Sequence, residues 1–475
     1  MRVPPGPDRS YGRIVTNSAT RRALTALSLS MLLPSLGTSV ANVGLPAIAA
    51  GLGAGFGTVQ WVVLGYLLAV TTLIVGAGRL GDLIGRRRLL LGSIALFTGA
   101  TLLCGLAPGT TVLIAARVLQ GAGAAGMMAL TTALVGESVP ADRTGSAMGL
   151  LGSVSAVGTA LGPSLGGALV VGFGWRAIFL AVVPLGLAAL VLAVRALPRP
   201  APAARAGGRR FDPVGTALLA VTLGAYALAT TAGTGAVGLL AVAAAGLVLF
   251  VIAENRVASP LLSPRVVREP GLAAGLATSA LVSTVMMTTL VVGPFHLAGA
   301  LGLGPAAAGL VMSAGPAVAA LAGVPAGRAA DRWGTRATVV TGLAAIAGGA
   351  VALAVLPVSA GVPGYLLPLL VVTAGYAVFQ AANNTAVLRD VAPRRRGLVS
   401  GMLHLSRNVG LMTGASVMGA VFAYAGPGGS AVAPPAVIAR GTHAAFAVAA
   451  LLVGAGLVLA LTRRPAAAVT PSPVS

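Results

Sequence analysis

The stretch Gly78-Arg79-Leu80-Gly81-Asp82-Leu83-Ile84-Gly85-Arg86-Arg87-Arg88 returns in the second half of the chain. There it reads Gly327-Arg328-Ala329-Ala330-Asp331-Arg332-Trp333-Gly334-Thr335-Arg336. Gly, Asp, Gly and Arg recur at matching offsets, and each copy lies between two long apolar runs. A polar loop repeated in this setting points to a membrane bundle built by duplication.

Outward from these loops the composition agrees. The chain has 475 residues, of which 57% are hydrophobic and 8% charged, and its mean hydropathy is +0.95. A soluble domain carries roughly 25% charged residues. A bilayer crossing needs about 20 mostly apolar residues, and fourteen such runs can be marked out. The runs at 213–233 and 236–253 are rich in Gly and Ala and joined by a short turn. The net charge is +22, and all 31 basic residues are Arg. Nucleic-acid binding would need a basic face on a soluble fold, whereas these Arg lie in gaps between apolar runs. With the N-terminus placed in the cytoplasm, 27 of the 31 Arg and all nine acids fall on the cytoplasmic side. Arg176 and Arg440 fall outside, and Arg117 and Arg407 lie within spans. This bias predicts an even number of spans with both termini cytoplasmic, and the plasma (inner) membrane is the expected location. The basic Arg21-Arg22 pair precedes an apolar run too long for a signal peptide, so it reads as a retained first span.

The predicted fold is an all-α polytopic membrane protein with 14 transmembrane helices. Residues 1–22 are expected to be a disordered cytoplasmic tail and 23–197 a six-helix bundle. A cytoplasmic loop and two inserted helices follow over 198–255. A second six-helix bundle covers 256–462, and 463–475 is another tail.

Several motifs narrow the reading. Leu113-Ile114-Ala115-Ala116-Arg117-Val118-Leu119-Gln120-Gly121-Ala122-Gly123 lies in span 4. Gly158-x-x-x-Gly162-Pro163-x-x-Gly166-Gly167 lies in span 5. Gly44-Leu45-Pro46, Trp61 with Tyr66, Trp175-Arg176, Phe211-Asp212-x-x-Gly215 and Glu254 fall in order around them. With the 78–88 loop, this set resembles the fourteen-span drug:proton antiporters of the major facilitator superfamily, from about Leu36 to Leu461. The resemblance implies the major facilitator fold, with two six-helix bundles plus two inserted helices. It also implies export of small amphipathic drug-like or secondary-metabolite compounds by alternating access, coupled to proton influx. The partners implied are a small-molecule substrate, protons and the lipid bilayer. A monomer is expected to suffice, and no cofactor or metal is called for.

The loop residues Gly78, Asp82, Gly85, Arg86, Arg87, Asp331 and Arg332 are the gate candidates. The resemblance implies that Asp82 latches the cytoplasmic gate against the start of span 13, near Gly397–Ser400. A solvated loop obeying the charge rule is the plainer account. Arg117 is the sharpest signal, because a mid-span Arg costs roughly 2.5–3.5 kcal/mol on insertion scales. Gln120 and Gly121 share its face. The resemblance implies a part for Arg117 in proton coupling; snorkelling outward is the alternative. A guanidinium does not release its proton, so it can only tune a neighbour. That neighbour is the difficulty. The family commonly carries an Asp in span 1 where this chain has Gly37, and no acid lies within a span. Glu137 and His404 are therefore coupling candidates, with His296 beside them. Gly158, Gly162 and Gly166, spaced by four, allow close helix approach, and Pro163 with Gly166-Gly167 allows bending. Asn42, Gln380, Asn383, Asn384 and Arg407 are candidate lining of a cavity between the halves; hydrogen bonding between helices would satisfy them equally.

Other classes are excluded. Gly121-Ala122-Gly123-Ala124-Ala125-Gly126 spells a dinucleotide fingerprint, but it lies inside an apolar run without the required strand. The three His are scattered, the acids are loop-bound, and no P-loop is present, which argues against an enzyme or an ATP-driven pump. The lone Cys104 excludes an intrachain disulfide. A uniporter or facilitator of a small metabolite, without proton coupling, is the competing transport reading.

Overall fold

A computed structural model describes residues 9–138, 144–197, 212–229, 236–256, 269–389, 396–426 and 433–462. The first half holds α1 (Arg9–Leu52), α2 (Phe56–Ile84), α3 (Arg86–Leu106), α4 (Thr110–Ser138) and α5 (Thr144–Phe173). α6 runs as Ala177–Leu180 and then Val182–Ala196. A pair follows, α7 (Pro213–Ala229) and α8 (Ala236–Arg256). The second half begins with α9, in which Pro270–Val291 continues through Gly293–Phe295 into a π turn at His296–Ala300. Then come α10 (Pro305–Trp333), α11 (Thr335–Val355) and α12 (Gly361–Arg389). α13 is interrupted by a second π turn, running Arg396–Thr413, Gly414–Met418, Gly419–Ala425. α14 is Pro435–Thr462.

The repeated loops become the same backbone turn. Gly85 joins α2 to α3 at φ +98°, and Gly334 joins α10 to α11 at φ +81°. A side chain there would be strained, which is why the last Gly of each loop is Gly. The Arg two residues later also has the same task in both halves. Arg87 Nε donates to the Leu197 carbonyl (3.1 Å) and Nη2 to Val194 (2.7 Å), at the C-terminus of α6. Arg336 Nη2 donates to Leu461 (2.9 Å), at the C-terminus of α14. Each guanidinium satisfies the orphan carbonyls of the last helix of its own half and faces the negative end of its dipole. Replacing Arg87 with Ala is expected to lower stability by about 1 kcal/mol. A thermal melt of the detergent-solubilised protein that does not move would refute this cap.

One expectation is corrected. α1 begins at Arg9, so residues 9–22 are helical rather than an unstructured tail. No Pro interrupts the chain between Pro7 and Pro34, and extending an established helix costs little. Among the described residues, twelve helices are long and apolar enough to cross a bilayer. Val157–Phe173 in α5 and Pro213–Ala229 in α7 are apolar but shorter. The start of α7 is pinned by Asp212, whose Oδ1 accepts the Gly215 N–H at 2.8 Å, and Pro213 follows at the first helical position.

α1 packs on α5, α6 and α4, and α2 packs on α4; α11 packs on α12 and α14, and α9 on α13. α7 lies against α8 and α2, and its Leu219, Leu223 and Ala227 share a core with Met412 and Phe422 of α13. The inserted pair thus touches both halves.

Candidate functional site

Arg117 is 0% exposed. It sits two turns into α4 and does not snorkel. Its Nε donates to the Val62 carbonyl of α2 (2.8 Å). Its Nη1 donates to the Gly37 carbonyl of α1 (3.1 Å) and to Gln120 Oε1 (2.5 Å). Gln120 Nε2 in turn donates to Thr101 Oγ1 of α3 (2.7 Å), and that hydroxyl donates to the Phe97 carbonyl (2.6 Å). The guanidinium carbon lies 4.3 Å from the Tyr66 ring centroid, and Tyr66 donates its hydroxyl to the Pro34 carbonyl (3.0 Å). A buried charge with no carboxylate is held by carbonyl oxygens and a π face instead. Nη2 alone has no hydrogen-bond partner.

Gly37 is part of this arrangement. A Cβ on it would lie 3.1 Å from Phe97 Cζ and 3.5 Å from Gln120 Nε2. Phe97 thus fills the place where the resembling family has an acid. Gly121 lies against the Tyr66 carbonyl, and a Cβ would stand 2.9 Å from that of Ala69. Gly123 faces the backbone of Phe97, and Gly126 faces Ser93. The fingerprint lookalike is therefore where α2 and α3 approach α4.

The glycines of α5 divide between two neighbours. Gly158, Gly162 and Gly166 face Leu32, Ser39 and Val40 of α1. Gly167 and Pro163 face the other way, onto α10. A Cβ at Gly167 would lie 3.1 Å from Ala306 Cα, and one at Gly309 would lie 3.3 Å from Gly167 Cα. The Ser164 N–H donates to Ser313 Oγ at 2.8 Å. α5 and α10 therefore meet backbone to backbone between the halves.

This contact belongs to the face opposite the repeated loops. On that far face the Phe56 ring lies 4.9 Å from Phe295 and 5.1 Å from Phe422, centroid to centroid. Gln60 of α2 donates to the Ala415 carbonyl in the π turn of α13. One hydrophobic core joins Leu64 and Tyr66 to Phe295, Met412 and Phe422. On the loop face, the cluster of Leu272, Val387, Val399, Met402 and Leu403 contains no residue of α1–α6. The halves are joined by a common core toward the far face, while this loop-face cluster belongs to one half alone.

The remaining candidates spread out. Asn42 is fully buried on α1, with neither amide atom partnered. Asn383 donates to the Gly275 carbonyl of α9 at 3.2 Å, so it ties helices within one half. Gln380 and Asn384 are half-buried, and Gln380 Oε1 has no partner. His404 is half-buried, and Arg407, one turn on, is exposed. Arg407 therefore does not join Arg117, which is sealed inside the first half. Gly78 has open space around it, Arg86 begins α3, and Arg332 is exposed in the last turn of α10. Asp82, Glu137 and Asp331 lie on described helices, but their side chains are outside the described residues, as are those of Gly397 and Ser400. His296 stacks on Tyr365 at 5.3 Å, buried within the second half. Sequence reasoning missed Gln60 and the three Phe rings. The available signal for Gln60 was a lone amide beside Trp61 in an otherwise apolar run.

Comparison with known proteins agrees with this geometry. The family model of the Major Facilitator Superfamily matches residues 27–250 and 275–475. Multidrug resistance protein Stp of Mycobacterium tuberculosis (strain CDC 1551 / Oshkosh) is 31% identical over 416 residues, 84% of this chain and 75% of the relative. Riboflavin transporter RibZ of Clostridioides difficile (strain 630) is 28% identical over 403 residues, 84% of this chain and 88% of the relative. Among solved structures, a bacterial homologue of the human lysosomal transporter Spinster, in an inward-facing unoccupied conformation, has a TM-score of 0.67 at 16% identity. That match covers 93% of this chain and 96% of the other.

Proposed function

The chain belongs to the Major Facilitator Superfamily, and from that premise we propose that it exports small amphipathic, drug-like or secondary-metabolite compounds by alternating access, coupled to proton influx. It is a membrane transporter and not an enzyme. In this reading fourteen helices cross the plasma membrane, both termini are cytoplasmic, the far face is the outer one, and a monomer does the work. The observation that carries it is the one-sided join. The halves share a core toward the far face, while the loop-face cluster belongs to the second half alone. Export needs such a seam to open and close in turn. The name of Stp supports the drug-like substrate class.

The cavity lies between the halves on the loop face, lined by Gln380, Asn384, His404 and Arg407, while the fully buried Asn42 stays out of it. An Arg held in hydrocarbon at that depth is costly, so an exposed Arg407 fits a wet gap. Its charge disfavours cationic cargo. Arg407→Gln is expected to raise the transport rate of cationic dyes relative to neutral ones by about tenfold, the worth of roughly 1.4 kcal/mol. Equal rates for both classes before and after the change would sink the assignment.

The deciding experiment is expression in an efflux-deficient bacterium challenged with a panel of toxic compounds, with and without a protonophore. Resistance that collapses with the gradient supports the antiporter. The second reading, a uniporter or facilitator, is favoured by Gly37, which puts no carboxylate beside Arg117 on α1, and by the riboflavin named for RibZ. Under it, transport survives the protonophore.

A further inference from the structure

We propose that Gln60 is the latch that holds the far face shut, a gating residue seated in the π turn of α13. The inference rests on the alternating-access reading above. Gln60 is 2% exposed, near the far end of α2. A π turn shifts the backbone hydrogen bonds from i+4 to i+5 and leaves a carbonyl without its regular partner. In Gly414–Met418 the Ala415 carbonyl accepts the Gln60 amide from the opposite half. The seat is shaped for it. A Cβ on Gly419 would overlap the Gln60 amide and stand 2.8 Å from its Cδ. Gly410 and Gly414, on the same helix, face the Ala280 and Thr284 carbonyls of α9. Glycines thus press α13 against its own half, while Gly419 opens a socket toward the other.

Besides the Ser164 N–H bond to Ser313 Oγ in the α5–α10 seam, the rest of the closure is apolar or backbone contact. Phe56, Phe295 and Phe422 gather around the same end, and the α5–α10 seam meets through Gly and Pro. Such surfaces slide without a strict register. A single buried amide on a single displaced carbonyl has one correct position, and when the faces part both groups gain water in its place. The latch therefore sets both the closed register and the balance between states.

The test uses full-length protein in lipid nanodiscs with Cys104→Ser, which removes the only Cys. Spin labels go on Thr58 and Tyr424 at the far face, both exposed, and in a second sample on Leu83 and Trp333 at the loop face, also exposed. Gln60→Leu removes the donor. Gly419→Ala keeps the amide but fills its socket. Each is expected to raise the long-distance fraction of the far-face pair roughly fivefold, the worth of one net hydrogen bond, and to shorten the loop-face pair. Thermal melts confirm folding. Distance distributions identical in the parent and both variants overturn the latch. Far-face lengthening without loop-face shortening supports the latch and counts against alternating access instead.

Discussion

Arg117→Ala is expected to abolish transport and to destabilise the first half. The guanidinium joins α1, α2 and α4 through the Gly37 and Val62 carbonyls and Gln120. Truncation leaves those three acceptors buried and short of a donor, at about 1–3 kcal/mol each where no water enters. It also empties a site sealed from solvent. Loss of stability alone would not separate support from function, so Arg117→Lys is the informative partner. Lysine keeps the charge but is a point donor on a flexible stem and cannot reach three directions from one plane. It should fold, with a melting temperature nearer the parent's, and still lose at least about tenfold in resistance. An intact resistance phenotype in either variant would refute a role for this residue in transport.

The second large effect is expected at Gly309. Its α-carbon faces the Pro163 carbonyl of α5, and a Cβ there would lie 3.1 Å from the Pro163 carbonyl carbon. Gly309→Val therefore wedges the seam between α5 and α10. The packing inside each half is untouched, so the protein should fold and insert. The halves, however, should no longer close on the far face, and transport should fall more than about tenfold. Gly323→Val on the same helix is the control, because a Cβ there meets nothing within 4 Å. If the two variants transport equally, backbone contact at the seam is not needed for the cycle.

Much of the fold was legible because it is written in local terms. Apolar runs of bilayer length and the sorting of Arg between them follow from the solvent each segment meets, and the helices lie where they predict. The paired loops were legible for a similar reason. A glycine with positive φ and an Arg two residues on do the same job in Gly85–Arg87 and Gly334–Arg336, whatever surrounds them. The site was less legible because its chemistry is made between distant segments. Periodicity put Gln120 and Gly121 beside Arg117, but it could not say that Val62 and Gly37 would complete the shell. Nor could it say that Arg117 would be enclosed within one half while Arg407 stayed exposed. The π turns left no trace in composition, since they are a slip of hydrogen-bond register, and without them Gln60 reads as one amide among many.

The enclosed arginine has one more consequence, and it is electrical. A guanidinium stays protonated at any physiological pH, and this one has only carbonyls, an amide and an aromatic face around it. The charge is therefore fixed to the first half and travels with it. Moving one elementary charge through the full membrane potential is worth about 2.3 kcal/mol per 100 mV, so even a partial displacement during rocking makes the equilibrium between states depend on voltage. A carboxylate at position 37 would have cancelled that dependence. With Gly37 in its place, the membrane potential itself acts as a force on the alternating-access cycle proposed above.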